Sequence, residues 1–341
     1  MRRLLVSLAE RSYDILIGPG LLAEAGRRLR EAGVGGAVVV IADAHVAATY
    51  GAAVAEALGV PLLTLPAGEA NKTLQQLERL YGELAGLGLD RQATLVAVGG
   101  GVTGDLVGFA AATFLRGINF VQVPTTLLAQ VDASLGGKTA VDLPAGKNLV
   151  GAFHQPRLVL ADLETLGTLP EDEYRSGLAE VVKYGVIADL DFLAWLEARR
   201  TELLARDLST LEEMVARSCE IKAAVVGADE RDRGRRAILN YGHTVGHAVE
   251  AAAGYGTYRH GEAVAIGMAA AGAISVAVTA GPRSRRHGSW RCCAACNCRR
   301  SSARRWTAPP SWPPLGATRK PSAARCAWFW FSAWARWTSE R

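Results

Sequence analysis

Short apolar runs alternate with longer mixed segments through the first half of the chain. Positions 2–8 and 13–17 alternate apolar and polar residues as strands do. The runs 37–42 (AVVVIA), 60–65, 94–98 (TLVAV) and 120–123 are almost wholly apolar, and 44–58, 72–86 and 102–113 between them have helical character, Asn71 standing where it can cap the second. Wholly apolar strands separated by helices predict a mostly parallel sheet covered on both faces. From about position 170 the rhythm changes. Segments 171–187, 190–199, 210–227, 235–253 and 261–280 all read as helices. The pattern predicts an α/β domain over 1–169 followed by an all-α helical domain over 170–281, with the boundary near Leu169 and Pro170.

The length of 341 residues suits two such domains. The net charge of +5 changes meaning once it is divided along the chain. Residues 282–341 hold 13 of the 38 Lys and Arg but one of the 33 acids, which leaves net −7 on residues 1–281. The body therefore lacks the basic footprint of a nucleic-acid binder. Five of the six cysteines also lie beyond 281, and the lone Cys219 fits a reducing cytoplasm. The apolar run at the start is too short for a signal peptide. Segment 263–280 is long and uncharged, but its Ala, Gly and Val suit a buried, closely packed helix better than a membrane span.

The stretch 282–341 has 12 Arg and seven of the eight Trp, one Leu, and no Val, Ile or Met. No globular segment packs without aliphatic residues, so disorder is expected. An off-frame reading of GC-rich DNA gives this composition. A basic tail and a metal knuckle at Cys292, Cys293, Cys296 and Cys298 are the rival readings, against which the irregular spacing counts.

Chemistry concentrates in a few places. Three of the six histidines fall within 18 positions, in NYGHTVGHAVE (240–250) and YRHGE (258–262). His243 and His247 share a helical face, and His260 can reach them from the following segment, a grouping that suits either a divalent metal or a small polar cluster. After the strand ending at Val98, the glycines at 99, 101 and 104 satisfy G-x-G-x-x-G between a strand and a helix. This suits a dinucleotide pyrophosphate, and equally a tight turn. Asp43 ends another strand, where it can hold a ribose hydroxyl or cap a helix. Glu69 and Lys72 lie in a polar loop on the same sheet edge. The stretch 124–148, rich in Thr, Gly, Asp and Lys, reads as a loop; Lys138, Lys147 and Asn148 in it suit a phosphorylated anion. Glu180 and Lys183 share a helix face among apolar residues, and Lys222 and Arg236 add positive charge.

Taken together, GGGVTGD, FLRG, VPTTLLAQVDASLGGKTAVD, GKNLVGAF, SGLAEVVKYG, NYGHTVGHAVE and YRHGEAVAIGM resemble the motifs of the 3-dehydroquinate synthase family over about residues 1–281. The resemblance implies an N-terminal nucleotide-binding α/β domain, a helical domain and a homodimer. It implies a zinc or cobalt ion on Glu180, His243 and His260, so that His260 takes the place that spacing alone offers His247. It implies NAD at Gly101, Val102, Thr103, Gly104 and Asp105, with Asp43, Glu69, Lys72, Thr125, Thr126, Lys138, Lys147 and Thr168 nearby. Substrate contacts would be Asp132, Lys138, Asn148, Lys183, Lys222, Arg236, Asn240 and His247, the last beside the phosphate or as a proton relay. Arg116 would reach the neighbouring subunit's site.

The implied reaction turns 3-deoxy-D-arabino-heptulosonate 7-phosphate, a small sugar phosphate, into 3-dehydroquinate and phosphate. Transient oxidation by NAD, β-elimination of phosphate, reduction, ring opening and aldol closure follow one another. The alternatives are a sister cyclase such as 2-deoxy-scyllo-inosose synthase, a related polyol dehydrogenase, or an NAD-binding protein impaired by its last 60 residues. If the frame slips near Gly281, re-reading the coding DNA in the other frames yields a Leu-rich, lysine-containing continuation. Its absence there would refute the slip.

Overall fold

A computed structural model describes residues 1–254 and 256–279, and the expectations about 282–341 lie outside the described residues. Among the described residues nine strands form in order: β1 Arg2–Val6, β2 Tyr13–Gly18, β3 Val38–Asp43, β4 Leu62–Leu65, β5 Thr94–Gly99, β6 Asn119–Pro124, β7 Lys138–Leu143, β8 Gly146–Phe153 and β9 Leu158–Asp162. The helices are α1 Ala25–Glu31, α2 Ala52–Leu58, α3 Leu74–Gly86, α4 Gly101–Thr113, α5 Glu171–Ile187, α6 Leu190–Ala198, α7 Arg200–Leu204, α8 Leu208–Ala228, α9 His243–Ala253 and α10 His260–Thr279. Seven strands make one sheet in the order β1-β2-β9-β6-β5-β3-β4, parallel except for β1 against β2.

Alternation within the apolar strands explains why both faces are covered. Val39, Ile41, Leu95 and Ala97 point to the side where α3 and α4 pack, while Val40, Ala42, Val96 and Val98 meet the residues of α1 and α2. On the α3 side the core continues past β6. There Ile15, Ile17, Val159 and Ala161 pack against Tyr174, Leu178, Val181, Met214 and Val215 of α5 and α8. The helical half thus seals the part of the sheet that α4 leaves bare. Helix α4 is apolar around most of its surface because it lies between the sheet and a separate hairpin of β7 and β8.

The chain leaves β3 toward β4 at the sheet edge, but leaves β5 toward β6 in the opposite direction. The strand order therefore reverses between β3 and β5. A crevice opens at such a reversal, at the carboxyl ends of the strands. Asp43 ends β3 and Gly99 ends β5 at this point.

Four local expectations need correction. Stretch 124–148 is not a loop: a π-type turn at Ala129–Ala133 leads through Gly136 and Gly137, both at positive φ, into β7, which pairs antiparallel with β8. Its glycines and lysines masked the alternation of KTAVDL. The helix expected over 235–253 is broken, because Gly242 adopts φ +84° and a short 3-10 turn, Arg235–Asn240, precedes α9. The expected helix over 44–58 opens with a π-type turn, Ala47–Gly51, before α2. The cap of α3 is Thr73, whose hydroxyl accepts from the Gln76 N–H at 3.2 Å, and not Asn71.

Helices α9 and α10 meet through glycine. A Cβ on Gly267 would stand 1.9 Å from the Gly242 carbonyl oxygen, and one on Gly246 would stand 3.0 Å from that of Ala263. No described helix is long and apolar enough to cross a membrane, and α10 is instead a packing helix of small residues. Gly267→Ala must push the helices apart. Denaturant unfolding is expected to show a loss of about 1–3 kcal/mol, the usual cost of overpacking.

Candidate active site

The site grows from the crevice between β3 and β5. Thr103, in the first turn of α4, donates to Asp43 Oδ2 at 3.1 Å, and a Cβ on Gly99 would fall 2.5 Å from that same oxygen. A Cβ on Gly104 would meet Gln122 Oε1 at 2.5 Å. Two of the three motif glycines thus let α4 pack closely on the strands, where a larger residue would displace the Asp43, Thr103 or Gln122 side chain. The consequence is a helix amino terminus, with its unpaired N–H groups, held open at the strand ends. Thr125 is buried, its N–H donating to Gly99 O at 2.9 Å, and Thr126 Oγ1 accepts from the Ala129 N–H at 3.2 Å. Thr168 bonds Tyr50 across the crevice at 2.7 Å.

Lys72 is buried and joins two elements. Its Nζ donates to Asp105 Oδ2 at 2.5 Å and to Asn148 Oδ1 at 2.6 Å, tying α4 to the start of β8. Burial raises the Asp105 carboxyl to about 6 in spite of Lys72. Lys147, the neighbour of Asn148 on β8, pairs with Glu69 at 3.3 Å and adds its charge to burial and His260, which chiefly disfavour protonation of His247. The hairpin therefore arches from the glycine loop toward the histidines.

Those histidines converge on Glu180, which is 0% exposed at the centre of α5. Its Oε1 lies 3.8 Å from His243 Nε2 and 3.6 Å from His260 Nε2. Among the described residues neither carboxylate oxygen accepts a well-formed hydrogen bond, although Lys183 pairs with Oε2 by charge. Ligand atoms of Glu180, His243 and His260 all lie within 4.8 Å of one another. Lys183 balances one oxygen of this buried carboxylate, while the other, Oε1, faces two imidazole nitrogens, and that donor set fits a divalent cation. His247, an exposed residue, stands with its ring 5.4 Å from His243 and 6.0 Å from His260. It groups with Glu250 and His260 rather than with Glu180.

A cluster of cations abuts this trio. Lys222 Nζ donates to both the carbonyl and Oδ1 of Asp132 at 2.6 Å, and the Tyr184 hydroxyl donates to the same Oδ1 at 2.8 Å. Burial would raise the Asp132 carboxyl, but Lys222 and Lys183 outweigh it and hold it below the usual range. Burial lowers Lys222, while Glu180 and Asp132 overcome burial to raise Lys183. Arg236, 3% exposed, donates to the carbonyls of Gly136 at 3.1 Å and Glu230 at 2.7 Å, and Lys138 pairs with Asp232. Asn240 is exposed at the end of the 3-10 turn before α9. Arg116 is not brought to this site: it is exposed beyond the carboxyl end of α4, while the glycine loop is at the amino end.

Sequence reading missed Tyr184, Asp232 and Glu250. Tyr184 follows Glu180 by four positions and Glu250 follows His243 by seven, so helical spacing carried a signal for both. Asp232 belongs to an irregular connection and had none.

An open α/β sheet with a glycine loop at its reversal point, followed by a set of helices, is a fold shared with solved sugar-phosphate cyclases. A 2-deoxy-scyllo-inosose synthase structure superposes with TM-score 0.76 at 32% identity, covering 83% of this chain and 81% of that one. The 2-epi-5-epi-valiolone synthase of Streptomyces hygroscopicus subsp. jinggangensis, with NAD+ and Zn2+ bound, gives 0.70 at 30%, covering 77% and 74%. Within this class, the family description "3-dehydroquinate synthase N-terminal" matches residues 62–176 and "3-dehydroquinate synthase C-terminal" matches 177–306. The 3-dehydroquinate synthase of Pelobacter propionicus is 57% identical over 282 residues, 81% of this chain and 79% of its own. That of Caulobacter vibrioides is 53% identical over 278 residues, 80% and 75%. The chain belongs to the 3-dehydroquinate synthase family, a family of carbon–oxygen lyases.

Lys222→Met would strand Asp132 as a buried anion. At neutral pH the expected cost is about 3 kcal/mol, the low end for breaking a buried pair, because the Asp132 side chain is 26% exposed. The Asp132 carboxyl is held below its unfolded value of about 3.9, so the pair contributes fully above that pH, begins to fade as pH falls below it, and is lost only as pH falls through the lower folded value. Urea unfolding at pH 7 and pH 3 should therefore show the variant's penalty shrinking in acid.

Proposed function

We propose that the chain converts 3-deoxy-D-arabino-heptulosonate 7-phosphate into 3-dehydroquinate and inorganic phosphate. The observation that carries this reading is the Glu180–His243–His260 trio set against Lys183, with Lys222 beyond it across Asp132 and Arg236 next to Lys222. When bound, NAD accepts and then returns one hydride, and a zinc or cobalt ion acidifies the hydroxyl that is oxidised.

The remaining work falls to the chain's own residues. The free N–H groups of Gly101, Val102 and Thr103 face the pyrophosphate, with Gly104 and Asp105 completing that stretch of α4, Asp43 holds a ribose hydroxyl, and Glu69, Lys72, Thr125, Thr126, Lys138, Lys147 and Thr168 surround the nucleotide. Asp132, Asn148 and Asn240 orient substrate hydroxyls. Lys138, Lys183, Lys222 and Arg236 neutralise the substrate's anionic groups and stabilise phosphate as it leaves. A proton is removed beside the new ketone as the carbon–oxygen bond breaks. The departing phosphate is itself a suitable base, and His247 relays a proton at the exposed rim. Orientation of one flexible substrate is the protein's largest contribution.

Arg116 and the 37%-exposed Leu115 beside it face away from their own site, which supports a homodimer in which Arg116 serves the neighbouring subunit. Cys219, buried and free among the described residues, supports a reducing, cytoplasmic setting.

Incubation with the heptulosonate phosphate, NAD and Zn2+ should release one phosphate per 3-dehydroquinate with no net NADH. Chelation of the metal should abolish release and zinc should restore it. Lys183→Ala should lower kcat by about 100–1,000-fold, as for loss of a preorganised charge stabiliser. Net NADH formation with glycerol, and no phosphate release, would reverse the assignment toward a polyol dehydrogenase.

A further inference from the structure

The buried Glu250 is absent from the roles above, although it lies beside a residue that has one. It projects from α9, is 9% exposed, and places Oε1 3.9 Å from His260 Nδ1. The opposite nitrogen of the same ring, Nε2, is the one that faces Glu180. The backbone around His260 is already held. The Gly261 N–H donates to Ser176 Oγ at 2.9 Å, the Arg259 N–H donates to Glu262 Oε2 at 2.8 Å, and the Arg259 guanidinium pairs with Asp172 and Glu173. What these contacts leave free is the ring's rotation and the choice of nitrogen that carries its proton. A neutral imidazole that offers Nε2 to a cation must carry its proton on Nδ1, where a carboxylate can accept it.

We propose that Glu250 is a positioning residue: a small turn of the ring closes the 3.9 Å gap so that Glu250 accepts the Nδ1–H of His260, holds Nε2 toward Glu180 and His243, and so sets the affinity of the trio for its divalent cation. The proposal rests on the metal reading given above. It also excludes a competing use of the same atoms. His247, Glu250 and His260 lie within 4.8 Å of one another and have the donors of a second cation site. Holding a second ion there while His260 serves the first would engage both of its nitrogens and leave no N–H.

The test is zinc binding to the full chain by competition with a chromophoric chelator, for wild type, Glu250→Ala, Glu250→Gln and His247→Ala. Melting of the metal-free proteins and NAD binding serve as controls of folding. The wild type is expected to bind one zinc per chain. Glu250→Ala should weaken it by about 10–100-fold, the usual effect of removing such a carboxylate. Glu250→Gln keeps an oxygen in place and should recover much of the loss, while His247→Ala should bind zinc as the wild type does. Equal zinc affinity in all four proteins would overturn the proposal. So would two zinc ions per wild-type chain with one lost in both Glu250→Ala and His247→Ala, which would establish the second site instead. A wild type that binds NAD but no zinc would refute the metal reading itself. If Glu250→Ala fails the folding controls, the glutamine variant decides: affinity unchanged beside a weakened Glu250→Asp supports a hydrogen-bond role, and affinity unchanged in both overturns it.

Discussion

The centre of this molecule is an array of buried charges that no single element could sustain. Glu180 and Lys183 on α5, Asp132 on the π-type turn and Lys222 on α8 alternate in sign, and three of the four are nearly inaccessible to water. Each ion would be strongly disfavoured alone at such depth. Together they are tolerable, provided that α5, α8 and the turn keep their mutual positions. The large apolar cluster beneath them does this, running from Ile15 and Val159 of the sheet to Tyr174, Val181 and Met214. Tyr184 connects the two layers, its ring in that cluster and its hydroxyl on Asp132. The array costs stability, and the core offsets that cost in order to present cations to an anionic substrate.

The β7–β8 hairpin has a comparable role on the other side. It covers α4, and through Asn148 and Lys72 it is bonded to the first turn of that helix. Lys147 extends the connection to Glu69 and toward His247. Nucleotide loop and histidine cluster are therefore linked by one short antiparallel element.

Much of the sheet was legible because its strands are apolar on both faces, a pattern few other elements produce. AVVVIA and TLVAV needed no context to be read as buried strands. The hairpin was not legible, since KTAVDL and KNLVGAF mix glycine and lysine with their alternation and face α4 on one side only. The break at Gly242 was hidden for a different reason. Helical periodicity runs through 235–253, and only the contact with α10 shows why the backbone must turn there. His243 and His247 could be paired from spacing. That Glu180 lies with His243 and His260 depends on α10 packing against both α5 and α9, with Glu180 some 60 to 80 positions from the histidines in sequence. The sequence motifs reached this grouping through likeness, whereas spacing alone did not.

The trio draws its three members from three helices, and α9 and α10 can approach because glycines line their seam. The glycine loop, by contrast, is complete once β3, β5 and α4 have come together. The two parts of the site therefore rest on different packing: small residues along one helical seam decide whether the three ligand atoms can meet at all, while the loop is indifferent to them.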